Sequence, residues 1–313
     1  MIFGGIFSPM DSLFKNIIVN NIGFTKYGKV ATYIPELAKN NPDDLGVYLI
    51  TLDGKEHYAG DCNKKFTMQS VSKVLTLMLS LMDNGKKVFE KVGMEPTGDG
   101  FNSIVNLELK DIHKPFNPMI NAGAIATTSI IGGKTSDDKI NRILDFARKL
   151  SNNPEIQINE KTFLSEKETG NRNRALAYFM KSYDIIEGDA EEILDVYFSQ
   201  CSIEVTCKDM ANMGCVLAND GISIHTGERL VSEEICKTAK TIMSTCGLYD
   251  ASGEFAVHIG IPAKSGVGGG IMAAVPHKMG IGVYGPALDE KGNSIAGIQI
   301  LKELSKKLDL TIY

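Results

Sequence analysis

The chain has 313 residues, 43% of them hydrophobic and 23% charged, which is long enough and apolar enough for a large packed core and excludes a disordered protein. Its 33 basic and 38 acidic residues leave a formal net charge of −5 with no basic stripe, so a nucleic-acid partner is not expected. The longest apolar run, Val74 to Met82, falls far short of the roughly 20 residues of a membrane span, and the patchy N-terminus MIFGGIFSPMDSLFKNIIVNN lacks the layout of an export signal, so a cytoplasmic protein with no membrane association is expected.

In chain order, Val47 to Asp61 (VYLITLDGKEHYAGD) sets an Asp53-Gly54 pair between two β-rich runs and predicts a hairpin. In FTMQSVSKVLTLMLSLM (66–82) the spacing predicts a helix from about Ser70 to Met82. Val71, Val74, Leu75, Met78 and Met82 share one face, and Leu77, Leu79 and Leu81 fill the others, as suits a helix in the middle of a protein. From about Leu107 to Ala218 the pattern is mainly helical, through NAGAIATTSII, KINRILDFARKL, RALAYFMKSY, AEEILDVYFSQC and CKDMANMGCVLAN. After one more helix around Ser232 to Thr245, the runs GEFAVHIG, GGGIMAAVP and KMGIGVYGP read as strands, and SIAGIQILKELSKKL closes the chain as an amphipathic helix.

Strands near both ends with helices between them predict an α/β (α+β) fold. The expected organisation is one catalytic domain over 1–313, with an α/β lobe from about 1–69 and 220–313 whose terminal segments share one sheet. A helical lobe from about 70–219 would fold over it, with the site in the cleft between them.

Six cysteines without a C-x-x-C pair read as reduced, buried thiols, and five scattered histidines give no metal-binding spacing, so neither a metal nor a cofactor is expected. The pattern S-x-x-K occurs three times, at Ser12/Lys15, Ser70/Lys73 and Ser136/Lys139. Only the second opens an apolar helix, where Lys73 sits one turn after Ser70 on the same face. Burial there would favour a neutral amine, which can take a proton from a hydroxyl, and the helix N-terminus offers N–H groups to a developing oxyanion. Lys264-Ser265-Gly266 is the only K-[ST]-G, and it runs into GVGGG (266–270). Glycine density of that kind lets a backbone approach a bound carbonyl, with the N–H of Val267 as a second donor.

An S-x-x-K on a buried helix after a hairpin, followed late in the chain by K-[ST]-G, matches the layout of serine β-lactamases and penicillin-binding proteins. The S-D-N of that set is absent; Ser151-Asn152-Asn153 stands nearest and reads as a helix stop. Gly133-Lys134-Thr135 imitates a phosphate loop, but Thr128 occupies the position of its first glycine, and GVGGG lacks the spacing of a dinucleotide loop.

With these residues in view, the chain resembles the serine-dependent glutaminases of bacterial and kidney type, which share the β-lactamase-like fold. The blocks that carry the resemblance are YIPELA (33–38), QSVSK (69–73), KPFNPMINAGAI (114–125), SEKETGNRN (165–173), DVYFSQCSIEVTC (195–207), CGLYDASGEFA (246–256) and PAKSGVGGGI (262–271). The resemblance implies that Ser70 is the nucleophile toward the side-chain amide of L-glutamine, Lys73 its base, and Tyr249 a relay of the proton to departing ammonia. It implies an oxyanion hole from the N–H groups of Ser70 and Val267, and substrate binding by Tyr33, Gln69, Asn121, Glu166, Asn173, Tyr197 and Tyr249. A carboxylate such as Glu166 is the natural partner of an α-ammonium, and amide or phenol donors suit an α-carboxylate. Glutamate and ammonia would leave through a γ-glutamyl ester, and the family suggests a homodimer or homotetramer. The alternatives are a penicillin-recognising hydrolase of the same fold and a binding module for glutamine or glutamate that has lost turnover.

Overall fold

A computed structural model describes residues 9–98, 100–108 and 113–313. Residues 1–8, on which the export-signal reading partly rests, lie outside the described residues. Among the described residues, no helix is long and apolar enough to cross a membrane.

Helix α1 (Pro9–Asn21) precedes the expected hairpin, β1 (Gly46–Thr51) and β2 (Glu56–Gly60), which turns through Gly54 at φ +81°. The short β3 (Phe66–Thr67) leads into a 3-10 turn, Gln69–Val71, and only then into α2 (Ser72–Asn84). Ser70 therefore lies in the turn that delivers α2 and not in its first turn. The middle of the chain supplies α3 (Val88–Lys91), α4 (Val105–Glu108), α5 (Asn121–Ser129), α6 (Ser136–Ser151), β4 (Gln157–Ile158), α7 (Glu160–Thr169), α8 (Asn171–Ser182), α9 (Ala190–Cys201), β5 (Ile203–Val205) and α10 (Cys207–Ala218). The last part holds α11 (Glu233–Cys246), α12 (Ser252–His258), β6 (Ala263–Ser265), β7 (Gly270–Val275), β8 (Met279–Tyr284) and α13 (Ile295–Leu308).

Five strands form an antiparallel sheet in the order β2-β1-β8-β7-β6, so the two ends of the chain meet where β1 pairs with β8, Gly46 opposite Tyr284 and Thr51 opposite Met279. Alternation along β1 and β7 sorts two cores. Val47, Leu49, Ile271 and Ala273 join Phe14 and Ile17 of α1 and Ile300, Leu301 and Leu304 of α13 on one face. Tyr48, Ile50, Met272 and Ala274 join Met210 and Ala211 of α10 on the other, in the cluster that also encloses α2. Helix α10, which sequence order groups with the middle helices, lies flat on the sheet, and glycines make that approach possible. A Cβ on Gly280 would stand 2.0 Å from Ala211 O and 2.2 Å from Cys215 N.

GEFAVHIG differs from expectation: it is helical in α12, not a strand. Phe255 and Val257 alternate as a strand would, but Val257 is 81% exposed, and the residues that reach the core are Ala251, Phe255 and Ile259, four apart. Asn152 ends α6 in the left-handed region, as the helix-stop reading of Ser151-Asn152-Asn153 anticipates. The small sheet β3-β5-β4 has strands of two or three residues, too short for a periodicity to announce them.

Close approach of α10 to β8 sets an expected outcome. Gly280→Ala destabilises the protein by about 2 kcal/mol or more, because backbone and not side-chain ends block the new methyl. Gly23→Ala, where no atom lies within 4 Å of the new Cβ, changes stability by less than about 0.5 kcal/mol. Thermal and urea denaturation of both variants measures the difference.

Candidate active site

Chain entry into α2 determines where the reactive groups stand. Gln69 takes φ +48°, an uncommon value outside glycine, and this bend lets β3 turn directly into the helix. Ser70 is 7% exposed at the floor of a pocket, and Lys73, one turn on, is fully buried behind it. Burial lowers the Lys73 amine from the ordinary lysine value to about 8, against the opposing pull of Glu166 and Cys201.

Sequence spacing brings Ser70 and Lys73 to the same face, but the amine's hydrogen bonds go elsewhere. Lys73 Nζ donates to Asn121 Oδ1 at 2.6 Å and to Met119 O at 3.4 Å. Asn121 Nδ2 in turn donates to Asn173 Oδ1 at 2.9 Å, so the first residue of α5 ties the lysine to α8. The Tyr249 phenol stands close enough to the Ser70 hydroxyl for the two groups to interact, and that contact acts to lower the phenol's pKa. Tyr249 also donates to Ser265 O at 3.3 Å, and burial raises its pKa above the ordinary tyrosine value.

Facing Ser70 is the glycine-rich segment after β6. A Cβ on Gly266 would stand 2.6 Å from Met68 O and 3.2 Å from Ser70 N, so only a glycine lets this strand lie against the turn that carries Ser70. Among the described residues the main-chain N–H groups of Ser70 and Val267 make no hydrogen bond, which leaves two unused donors on adjoining segments at one pocket wall.

Tyr33, Gln69, Ser70, Asn121, Glu166, Asn173, Tyr197 and Val267, all named from the sequence, line one pocket. Lys73 and Tyr249 back it without lining it. Tyr33 is 55% exposed at the rim, whereas Tyr197 and Glu166 are buried. Burial raises the Glu166 carboxyl to about 7, although the nearby Gln69 amide and the charge of Lys73 both act to lower it. Burial thus favours the neutral carboxyl, and a cation placed beside it would favour the carboxylate.

Sequence reasoning missed Phe101, Arg172 and Cys201. Phe101 packs 4.8 Å from the Tyr249 ring and accepts the Asn121 N–H at its carbonyl; no local pattern marks it. Arg172 lies inside the SEKETGNRN block and donates to Asn102 O at 2.9 Å on the pocket rim. All six cysteines are free and buried, and burial pushes the Cys201 thiol in the pocket wall up to about 12. Among the described residues no group of three His, Cys, Asp or Glu side chains is arranged to hold a metal ion.

Comparison with known proteins points one way. The family model described as Glutaminase matches residues 28–313. Glutaminase 2 of Clostridium perfringens (strain 13 / Type A) is 62% identical over 305 residues, 97% of this chain and 100% of the relative. A glutaminase of Clostridium botulinum (strain 657 / Type Ba4) is 63% identical over the same shares. Among solved structures, a probable glutaminase from Bacillus subtilis complexed with 6-diazo-5-oxo-L-norleucine superposes with TM-score 0.91 at 39% identity, covering 100% of this chain and 99% of that one. A covalent complex of a Bacillus subtilis glutaminase with 5-oxo-L-norleucine gives TM-score 0.89 at 40% identity over 98% and 100% of the two chains. The fold is the serine β-lactamase-like one that these proteins share.

Burial and raised thiol pKa values predict the behaviour of the cysteines. Native protein at pH 8 should resist a thiol-specific disulfide reagent at all six positions and yield six thiols after unfolding in guanidinium. Rapid labelling of Cys201 in the native state would mean that the pocket wall is open.

Proposed function

The chain belongs to the glutaminase family, and we propose that its hydrolysis of L-glutamine to L-glutamate and ammonia runs through an ester on Ser70, with Lys73 as the base. The observation that carries this reading is the Lys73 amine, fully buried one turn from Ser70 and bonded to carbonyl oxygens without a carboxylate. A neutral amine has two N–H bonds and one lone pair. The two oxygens of Asn121 and Met119 take the N–H bonds, and the lone pair is left for the proton of Ser70.

Ser70 Oγ attacks the side-chain carbonyl carbon of glutamine while its proton passes to Lys73 Nζ. The oxyanion is held by the N–H groups of Ser70 and Val267. As that intermediate collapses, the proton held by Lys73 passes through the Tyr249 hydroxyl to the amide nitrogen, the C–N bond breaks, ammonia leaves, and a γ-glutamyl ester remains on Ser70. Water then attacks the ester by the same route in reverse, giving glutamate and free Ser70. Glu166 receives the α-ammonium, with Gln69 holding the carboxylate from behind. Asn121, Asn173, Tyr33 and Tyr197 complete the grip on the amino-acid end. The chain works as a single catalytic domain, in the cytoplasm, as a homodimer or homotetramer whose size light scattering measures.

Substitution and pH test this chemistry. Ser70→Ala abolishes ammonia release from glutamine. Lys73→Arg lowers kcat by about 100-fold or more although charge is kept, because a guanidinium stays protonated at working pH. In the free enzyme Glu166 becomes a carboxylate as pH rises through about 7 and Lys73 becomes neutral as it rises through about 8, so kcat/KM increases across that interval. Near-normal turnover by Lys73→Arg, or a kcat/KM that falls between pH 6.5 and 8.5, would refute the assignment of Lys73.

A further inference from the structure

Lys264 is a second buried amine, and the chemistry above makes no use of it. Its side chain is fully buried on β6, and among the described residues no carboxylate pairs with it. The amine donates to Gly247 O at 2.9 Å and to Ser265 O at 2.6 Å, and it lies 4.2 Å from the centroid of the Tyr249 ring. A slot that needed only filling would hold methionine or leucine without the cost of desolvating an amine.

Two of these contacts, Gly247 O and the Tyr249 ring, lie on one short loop, and the third, Ser265 O, is on β6 beside Lys264 itself. Gly247 closes α11 and stands two residues before Tyr249, and a Cβ on it would be 1.8 Å from Ala263 O, so the loop is pressed against β6. Ser265 O accepts from the Lys264 amine and also from the Tyr249 hydroxyl. Tyr249 takes φ +56°, a conformation an aromatic residue adopts only when its surroundings impose it, and it heads a 3-10 turn of three residues that cannot hold it unaided.

We propose that Lys264 is a positioning residue for Tyr249: its amine, anchored to the carbonyls of Gly247 and Ser265, lies against the ring and holds the phenol hydroxyl toward Ser70. The inference rests on the role given to Tyr249 above. Burial and the nearby Lys73 both lower the Lys264 amine well below the ordinary lysine value, in keeping with a neutral amine that donates to two carbonyls.

A double-mutant cycle decides it, with Lys264→Met, Tyr249→Phe and the double variant. Two rates are read: glutamine turnover, and covalent labelling of Ser70 by 6-diazo-5-oxo-L-norleucine followed by mass spectrometry, which resolves slow reactions. Lys264→Met should lower kcat and the labelling rate by about 10- to 100-fold with KM within about threefold of wild type. It should cause no further loss in the Tyr249→Phe background, since both changes then act on one hydroxyl. Unchanged rates, a rise in KM alone, or losses that multiply in the double variant would overturn the proposal. If Lys264→Met does not fold, Lys264→Gln enters the same cycle, and failure of both to fold would make Lys264 a packing residue and overturn it too. Wild-type turnover beside an unaffected variant sinks only this inference, whereas an inactive wild type sinks the reading on which it rests.

Discussion

Everything in the pocket depends on an amine held without water and without a carboxylate. Lys73 leaves the solvent completely, and what it gains in exchange is one side-chain carbonyl at 2.6 Å and one main-chain carbonyl at 3.4 Å. Lowering a lysine from 10.5 to about 8 corresponds to about 3 kcal/mol against the charged form. The sign follows for stability. Between those two pH values the unfolded chain binds more protons at this position than the folded one, so the group's contribution to stability improves as pH rises. The same burial that imposes this cost favours a neutral amine one turn from Ser70, which is what the proposed chemistry requires.

Several layers of packing keep the amine dry. Helix α2 is apolar almost all round because core surrounds it on every side, with residues of α6, α10 and α11 in the same cluster. Asn121 opens α5 and reaches Asn173 of α8, so the residue that holds the lysine is itself held by a helix that contributes to the substrate pocket. On the far side the sheet brings Gly266 and Val267 against Ser70. The position of that edge is fixed in turn by pairing of β6, β7, β8 and β1, which draws together segments more than 200 residues apart in sequence.

Much of this was legible beforehand, for physical reasons that differ from residue to residue. The Ser70/Lys73 pair stands out because a lysine in an apolar helix is anomalous, and Lys264-Ser265-Gly266 because glycine runs mark close backbone approach. The hairpin at Asp53-Gly54 and the helices of the middle segment follow from turn chemistry and periodicity. What could not be read was long-range: that the lysine's partner is Asn121, 48 residues on, and that Phe101 packs on the Tyr249 ring. Backbone strain at Gln69 and Tyr249 carries no sequence signal, since neither residue type announces a positive φ. The strand assigned to GEFAVHIG failed because two alternating apolar residues fit both periods, and exposure of Val257 decides for the helix only once the core is known.

The central claim is that burial makes Lys73 a base, and the ionisation of its amine tests that most directly. Nitrogen-15 NMR of the lysine side chains in the resting enzyme, with the Lys73 signal assigned by its loss in Lys73→Met, would follow the amine from pH 6 to 11. A midpoint near 8 is the expected result. A midpoint at or above about 10, where an ordinary solvated lysine titrates, would mean that Lys73 is charged at working pH, and the proton of Ser70 would have to go elsewhere.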